Sequence, residues 1–132
     1  MTILMYTPLY IALNGLVLFA LAVSVMRFRF KQDIPMGDGG LPQGLQRMRA
    51  MSNFVEYAPL ILILLGSYEY LSQNTLAVHI CGIALTLGRA LHGYGLHKAP
   101  GPTVARGAGM LATLGVLLYL IGAIIWYYIE QL

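Results

Sequence analysis

The chain has 132 residues, of which 58% are hydrophobic and only 10% are charged, and its mean hydropathy is +0.72. Soluble globular domains carry about 25% charged residues, so this composition excludes an ordinary soluble domain and predicts a single domain folded in lipid. The net charge of +3 is too modest to indicate nucleic-acid binding, and a single cysteine excludes an intramolecular disulfide. Because Cys81 lies in an apolar run, we expect it to be a small buried side chain.

Four apolar stretches follow one another, each close to the roughly 20 residues that a helix needs to cross a ~30 Å hydrocarbon core. Backbone groups in lipid must be satisfied within their own segment. We therefore predict an all-α membrane protein, a four-transmembrane-helix bundle that forms one domain over residues 1–132, with helices at about 5–30, 43–71, 75–96 and 104–130. Basic residues follow the first stretch rather than precede it, so we expect no secretory signal peptide and a first helix retained in the mature protein.

The connections set the predicted orientation. Residues 31–44 form a polar loop rich in glycine and proline, 72–74 a tight hairpin with a Ser or Asn N-cap, and 97–102 a loop in which Pro100 and Pro102 break the helix. All eight basic residues flank the first and third loops: Arg27, Arg29, Lys31, Arg47, Arg49, Arg89, Lys98 and Arg106. The positive-inside rule then predicts that these loops are cytoplasmic and that both termini lie on the opposite side.

Aromatic residues mark the other edge of the predicted bundle. They are Tyr6, Tyr10, Tyr68, Tyr70, Trp126, Tyr127 and Tyr128. Tyrosine and tryptophan are enriched at membrane–water interfaces, so we interpret this set as an interfacial belt. The belt agrees with the orientation that the basic residues predict.

A polar stripe opens the second helix. At about 100° per residue, Arg49, Asn53 and Glu56 lie within roughly 60° of one another. A charge at the bilayer centre costs about 2.5–3.5 kcal/mol on insertion scales, so these groups are expected to face the bundle interior. Two interpretations remain open. The residues form an ion-paired network that sets helix register, or they line a pocket for a zwitterionic ligand, with guanidinium for carboxylate and carboxylate for ammonium.

Further polar residues lie on the third and fourth helices. Arg89 and His92 share a face, and Arg89 either faces this site or snorkels to lipid headgroups. His79 is expected to be a hydrogen-bonded core residue, and three separated histidines predict no metal site. Arg106 opens the fourth helix, where the helix dipole and the guanidinium together favour a thiolate or carboxylate, although it could equally be another positive-inside arginine. Four glycines of this helix would allow close packing: Gly107, Gly109, Gly115 and Gly122.

These residues carry a resemblance to the MAPEG family, the membrane-associated proteins of eicosanoid and glutathione metabolism. Arg49-Ala50, Asn53, Glu56-Tyr57 and Pro59 are spaced as in the family's R-A-x-x-N-x-x-E-Y-x-P pattern. The segment Gly88-Arg89-x-x-His92 and the later Arg106 match in order and approximate spacing, so the resemblance covers nearly the whole chain. Gly37-Asp38-Gly39-Gly40 makes the chain similar to the short bacterial branch that resembles microsomal glutathione transferase.

The resemblance implies a homotrimer in the bacterial inner membrane, with glutathione as co-substrate at the subunit interfaces. It implies a glutathione transferase or peroxidase that conjugates or reduces lipophilic electrophiles. Arg49 would bind a glutathione carboxylate, and Arg106 would stabilise the thiolate. The peptide and amino groups would be held by Asn53, Glu56 and Tyr57. Further lining would come from Arg29 on the first helix and from Arg89, His92 and Tyr94 on the third.

The chain departs from the family pattern at two positions. Many members carry an arginine where this chain has Gln46, and several carry a tyrosine where it has Leu96. These departures leave open a non-catalytic membrane protein that binds glutathione or lipid. A proton-coupled exporter of similar size would need an acidic residue deep in the first span, and residues 9–26 contain none.

Overall fold

The computed structural model describes residues 5–99 and 101–132, which form four helices joined by three loops. The helices are α1 (Thr7–Gln32), α2 (Pro42–Ser72), α3 (Thr75–Lys98) and α4 (Val104–Ile129). All four are long and apolar enough to cross a membrane. The predicted all-α bundle of four transmembrane helices is therefore confirmed, and the chain is an integral membrane protein. Pro100, predicted to break the helix before α4, lies outside the described residues.

Local sequence explains where the helices begin. Both α1 and α2 have a proline in their first turn, where the missing N–H costs no hydrogen bond. The side chain of Asn74 accepts a hydrogen bond from the backbone N–H of Ala77 at 3.1 Å, which confirms the predicted N-cap of α3. Thr103 caps α4 in the same way by accepting from the N–H of Arg106 at 3.2 Å. Each start is thus encoded within a few residues.

The longest helix, α2, has 31 residues. At 1.5 Å per residue it is about 46 Å long, whereas the hydrocarbon core is ~30 Å thick. Several turns of α2 must therefore extend beyond the hydrocarbon. The C-terminal end of α2 lies at the edge of the bundle that carries the aromatic residues, where a tight hairpin leads into α3. The turns around Arg49, near the other end of α2, can therefore lie at the opposite membrane boundary, where the basic residues are.

The apolar core occupies the half of the bundle near the aromatic edge. It consists of Tyr10, Ile61, Leu65, Tyr68, Val78, Cys81, Leu85, Val116 and Leu120. Cys81 is buried, as predicted. Tyr10 and Tyr68 are only 3% and 7% exposed, so their assignment to an interfacial belt was wrong. Their helical phase turns them inward, where the hydroxyl of Tyr68 lies 3.1 Å from that of Tyr119.

Two polar contacts hold α1 against the bundle near this edge. The carboxylate of Glu69 on α2 accepts hydrogen bonds at 2.8 Å from the backbone N–H groups of Met5, Tyr6 and Thr7. These donors have no partner within α1, so the carboxylate caps that helix from a neighbouring one. His79 is hydrogen-bonded through Nδ1 to the hydroxyl of Tyr10 at 2.7 Å, as expected of a hydrogen-bonded core histidine.

Close packing of α3 and α4 depends on one of the four predicted glycines. A Cβ on Gly109 would lie 2.6 Å from the backbone nitrogen of His92 and would also overlap the carbonyl oxygen of Gly88. By contrast, a Cβ on Gly107, Gly115 or Gly122 would meet nothing within 4 Å in the described chain, so these three do not serve close packing between helices of one chain. They lie on other faces of α4.

Candidate functional site

A groove of about 720 Å³ opens at the basic edge of the bundle, between the first turns of α2, the last turns of α3 and the start of α4. We call it the α2–α4 groove. Its wall combines cationic and amide side chains with apolar ones: Pro42, Leu45, Gln46, Arg49, Asn53, His92, Leu96, Gly101, Pro102, Thr103, Arg106, Gly107 and Met110. Its volume lies within the range of small-molecule sites, and among the described residues no carboxylate lines it.

The groove brings together four of the nine predicted site residues, namely Arg49, Asn53, His92 and Arg106. They come from three helices, and the first and last of them, Arg49 and Arg106, are 57 residues apart in the sequence. The other five do not line it: Arg29, Glu56, Tyr57, Arg89 and Tyr94.

Arg49 and Glu56 form a long ion pair and are exposed in the single chain, so the expectation that both are turned into the bundle interior was wrong. Their closest side-chain atoms, Nη1 and Oε1, are 3.9 Å apart, and the side chains are 59% and 52% exposed. An exposed pair at this distance contributes about 0–1 kcal/mol, so it cannot be the reason that α2 keeps its register. The guanidinium of Arg49 is consequently free to turn toward an anion in the groove.

The side chain of Asn53 is oriented by a hydrogen bond from the buried Arg89. The Arg89 side chain is 1% exposed, and it donates from Nη2 to Oδ1 of Asn53 at 2.6 Å and from Nη1 to Oγ1 of Thr113 at 3.4 Å. Snorkelling to headgroups is therefore wrong for Arg89. Since the amide oxygen of Asn53 is occupied by the arginine, its Nδ2 donor remains for the groove. The ring of Tyr57 also lies near this guanidinium, 5.9 Å from Cζ to the centroid.

The start of α4 is fastened to the end of α3. His92 donates from Nδ1 to the carbonyl oxygen of Arg106 at 3.0 Å, which leaves Nε2 as an acceptor in the neutral ring. At Gly95 a Cβ would lie 2.6 Å from the backbone nitrogen of Arg106, so only glycine permits this approach. Arg106 thereby lies in the first turn of α4, where orphan N–H groups and the helix dipole add positive potential. This end of the groove suits an anion.

Two predicted site residues, Arg29 and Tyr94, are not part of the groove wall and contact other residues of this chain. Arg29 donates from Nε to the carbonyl oxygen of Gly37 at 3.0 Å and lies 3.8 Å from Sδ of Met48, so it is bound to the first loop. Tyr94 is 56% exposed, and its ring centroid is 5.3 Å from Nζ of Lys98. Their roles toward a ligand stay predictions.

Sequence reasoning missed several residues that shape the site. Thr113 is the second partner of Arg89, and Thr103 caps α4 directly ahead of Arg106. Thr103 directly precedes the apolar run of α4, which is an N-cap signal that could have located the cap. No sequence signal pairs Thr113 with Arg89, because they meet only through the packing of α3 against α4. Both departures from the family pattern, Gln46 and Leu96, lie in the groove wall.

Comparison with known proteins identifies the family of the chain. The sequence profile of the MAPEG family matches residues 7–126, which include every residue of the groove wall. Inner membrane protein YecN of Escherichia coli, matched in two strains, is 37% identical over 123 residues, covering 93% of this chain and 92% of that protein. No solved structure gives a significant match. The chain belongs to the MAPEG family.

Proposed function

We propose that this protein is a membrane-bound glutathione transferase or peroxidase that conjugates or reduces lipophilic electrophiles with glutathione thiolate. The observation that carries the proposal is the convergence of Arg49, Asn53, His92 and Arg106 on one groove whose described wall has no carboxylate. Glutathione has two carboxylates and one ammonium, so it is a net anion at neutral pH. Two guanidinium groups and a helix N-terminus complement that charge.

The polar side chains suggest how the tripeptide binds. Arg49 pairs with one glutathione carboxylate, and the Nδ2 group of Asn53 donates to a carbonyl or carboxylate oxygen. Glu56, which is 3.9 Å from Arg49 and half exposed, accepts from the ammonium in this proposal, and Tyr57 follows it in the chain. Arg89 does not contact glutathione; its hydrogen bond to Asn53 sets the direction of the Asn53 amide.

In this proposal the thiol lies toward Arg106 and the start of α4. A free thiol has a pKa near 8.5, and a neighbouring arginine or a helix N-terminus lowers it. Each unit of lowering corresponds to about 1.4 kcal/mol in favour of the thiolate. The proton passes to water, the sulfur bonds to the electrophilic carbon, and the leaving group departs with the electron pair of the broken bond. The electrophile is already reactive, so holding the thiolate beside it suffices.

Family membership supports a homotrimer in which neighbouring subunits complete the site. Glu56 and Tyr94 are more than half exposed in a single chain, and Arg29 lies outside the groove. Such placement fits residues that meet a ligand across a subunit boundary. The name of the relative in Escherichia coli supports location in an inner membrane, with glutathione reaching the groove from the cytoplasm and the lipophilic partner arriving laterally from the bilayer.

The test is conjugation of glutathione to a reactive aryl halide by the purified, assembled protein. Arg106→Gln should lower kcat about 10- to 100-fold, as expected if the thiol pKa rises by one to two units, with a much smaller change in KM for glutathione. The matched control is Lys98→Gln, which removes one cation at the same edge outside the groove and should leave both constants unchanged. Absence of turnover in the intact assembly would contradict the activity. A higher KM with unchanged kcat would reject the role given to Arg106.

A second candidate is a non-catalytic membrane protein that binds glutathione or lipid. The observation in its favour is that Gln46 and Leu96 both line the groove where family members often carry arginine and tyrosine. Equilibrium dialysis of glutathione against the assembled protein separates the two candidates. Saturable binding without conjugation or peroxide reduction would favour the second one.

A further inference from the structure

A second cavity, of about 430 Å³, lies between the cytoplasm-directed ends of α1, α2 and α3, on a different wall of the bundle. We call it the α1–α2 cavity. Three cationic side chains line it, Arg27 and Lys31 from α1 and Arg47 from α2, together with His97 from α3. None of the four lines the α2–α4 groove. The proposed glutathione chemistry therefore leaves this cluster unexplained.

The cations of this cavity have no carboxylate partner. Among residues 5–99 and 101–132, Arg49–Glu56 is the only ion pair within 4 Å, and no aspartate or glutamate lines the cavity. The guanidinium of Arg47 is oriented over the ring of Phe28, with Cζ 5.1 Å from the centroid. That contact holds Arg47 against α1, on the wall that Arg27 and Lys31 also line. Three like charges without counter-charge favour an anionic ligand and offer nothing to an ammonium group.

The cavity continues along α1 past Arg27, toward the middle of that apolar helix. Ala20 and Val23 line this deeper part together with Ser24, and the lining residues on α1 extend from Ala20 to Gln32. Those twelve residue steps correspond to about 18 Å along the helix. A free anion would occupy only the cationic end, whereas a lipid would place its phosphate there and its first acyl carbons along Ala20 and Val23. The geometry points to a binding site for a net-anionic phospholipid headgroup with the start of its acyl chain.

Native mass spectrometry of the full-length protein in detergent tests this inference. Titration with phosphatidylglycerol should give a Kd at least about tenfold lower than titration with phosphatidylcholine of the same acyl chains, because only the latter carries an ammonium. The double substitution Lys31→Gln/Arg47→Gln should weaken phosphatidylglycerol binding about 25-fold, or about fivefold for each cation. If that double variant does not fold, Arg47→Gln alone should weaken it about fivefold, and Arg47→Lys should restore most of the loss.

The matched control is Lys98→Gln, which removes one positive charge at the same edge but whose side chain lies over Tyr94, outside the cavity. It should change phosphatidylglycerol affinity less than twofold. Equal affinity for the two lipids, or an equal loss in Lys98→Gln and Arg47→Gln, would overturn the site. Displacement of phosphatidylglycerol by millimolar inorganic phosphate would also overturn it, because the cavity would then bind a free anion rather than a lipid.

Discussion

Arg89 and Asn53 are the pair of residues on which the geometry of the α2–α4 groove depends most directly. Arg89 is buried without a carboxylate within reach in the described chain, and its Nε has no hydrogen-bond partner there. A buried charge of this kind is costly for stability, so its presence calls for a role outside folding. Its shortest contact is the 2.6 Å hydrogen bond to Asn53, which orients a residue of the groove wall. We therefore regard Arg89 as a positioning residue.

Arg89→Met separates this role from a structural one. Replacing a buried charge by an apolar side chain of similar length should leave the free energy of unfolding unchanged or raise it. Glutathione affinity should fall about tenfold or more, because Asn53 loses the bond that directs its amide, a loss of about 1.5–3 kcal/mol for a hydrogen bond to a charged group. Calorimetric titration and thermal unfolding measure the two quantities. The control is Thr113→Val, which removes the longer of the two hydrogen bonds of Arg89 and should change glutathione affinity little. If Arg89→Met lost stability and affinity together, the role of Arg89 would be structural.

Two kinds of contact join the helices of the bundle: a carboxylate of one helix caps another, and two helix backbones approach each other closely. Glu69 on α2 supplies the cap of α1, and Gly109 allows α4 to touch the backbone of α3. The first kind of contact lies at the aromatic edge and the second beside the groove. Stability and site geometry should therefore respond separately to changes in the two.

Glu69→Ala should destabilise the protein by about 3 kcal/mol, because three backbone donors at the start of α1 lose a charged acceptor. Glu69→Gln retains an acceptor oxygen and should cost only about 1 kcal/mol. Glutathione affinity should stay unchanged, since Glu69 lies at the edge opposite to the groove. Chemical unfolding in detergent provides the measurement. Glu130→Gln, an exposed carboxylate on the same edge, should alter stability by less than about 0.5 kcal/mol. A similar effect of both charge removals would contradict the capping role.

Gly109→Val and Gly115→Val form a matched pair on α4. The first substitution should cost about 1–3 kcal/mol or more, because its side chain would overlap the backbone of α3. The second meets open space within the chain and should be neutral or slightly stabilising, since valine is a better helix former than glycine. Thermal unfolding compares the two variants. Equal destabilisation would mean that Gly115 also faces a tight contact, as it could at a subunit boundary of the proposed homotrimer.

Across the whole molecule, the apolar core and the positive charges lie in opposite halves of the bundle. The core cluster lies toward the aromatic edge, while the groove, the α1–α2 cavity and all eight basic residues lie toward the other. This polarity predicts that the groove opens to the cytoplasm.

Single cysteines test that orientation. Cys81 is buried and should remain unlabelled by a membrane-impermeant maleimide. In intact spheroplasts Gln131→Cys should be labelled from outside, and Asp38→Cys only after the membrane is disrupted. The reverse pattern would contradict the cytoplasmic placement of the first and third loops. The mass of the assembly, in multiples of the 14.5 kDa chain, would at the same time test the homotrimer.

The sequence by itself determined the membrane architecture and the family. Hydropathy marks four spans because lipid demands long apolar helices, and the spacing from Arg49 to Pro59 carries the family pattern on a single helix, where periodicity is readable. Periodicity does not say which neighbour a helix face meets. Only the tertiary structure could therefore show that Arg89 supports Asn53, that Tyr10 and Tyr68 turn into the core, and that Glu69 caps a different helix. Each of these depends on contacts between helices distant in sequence, and the packing of the whole bundle decides such contacts.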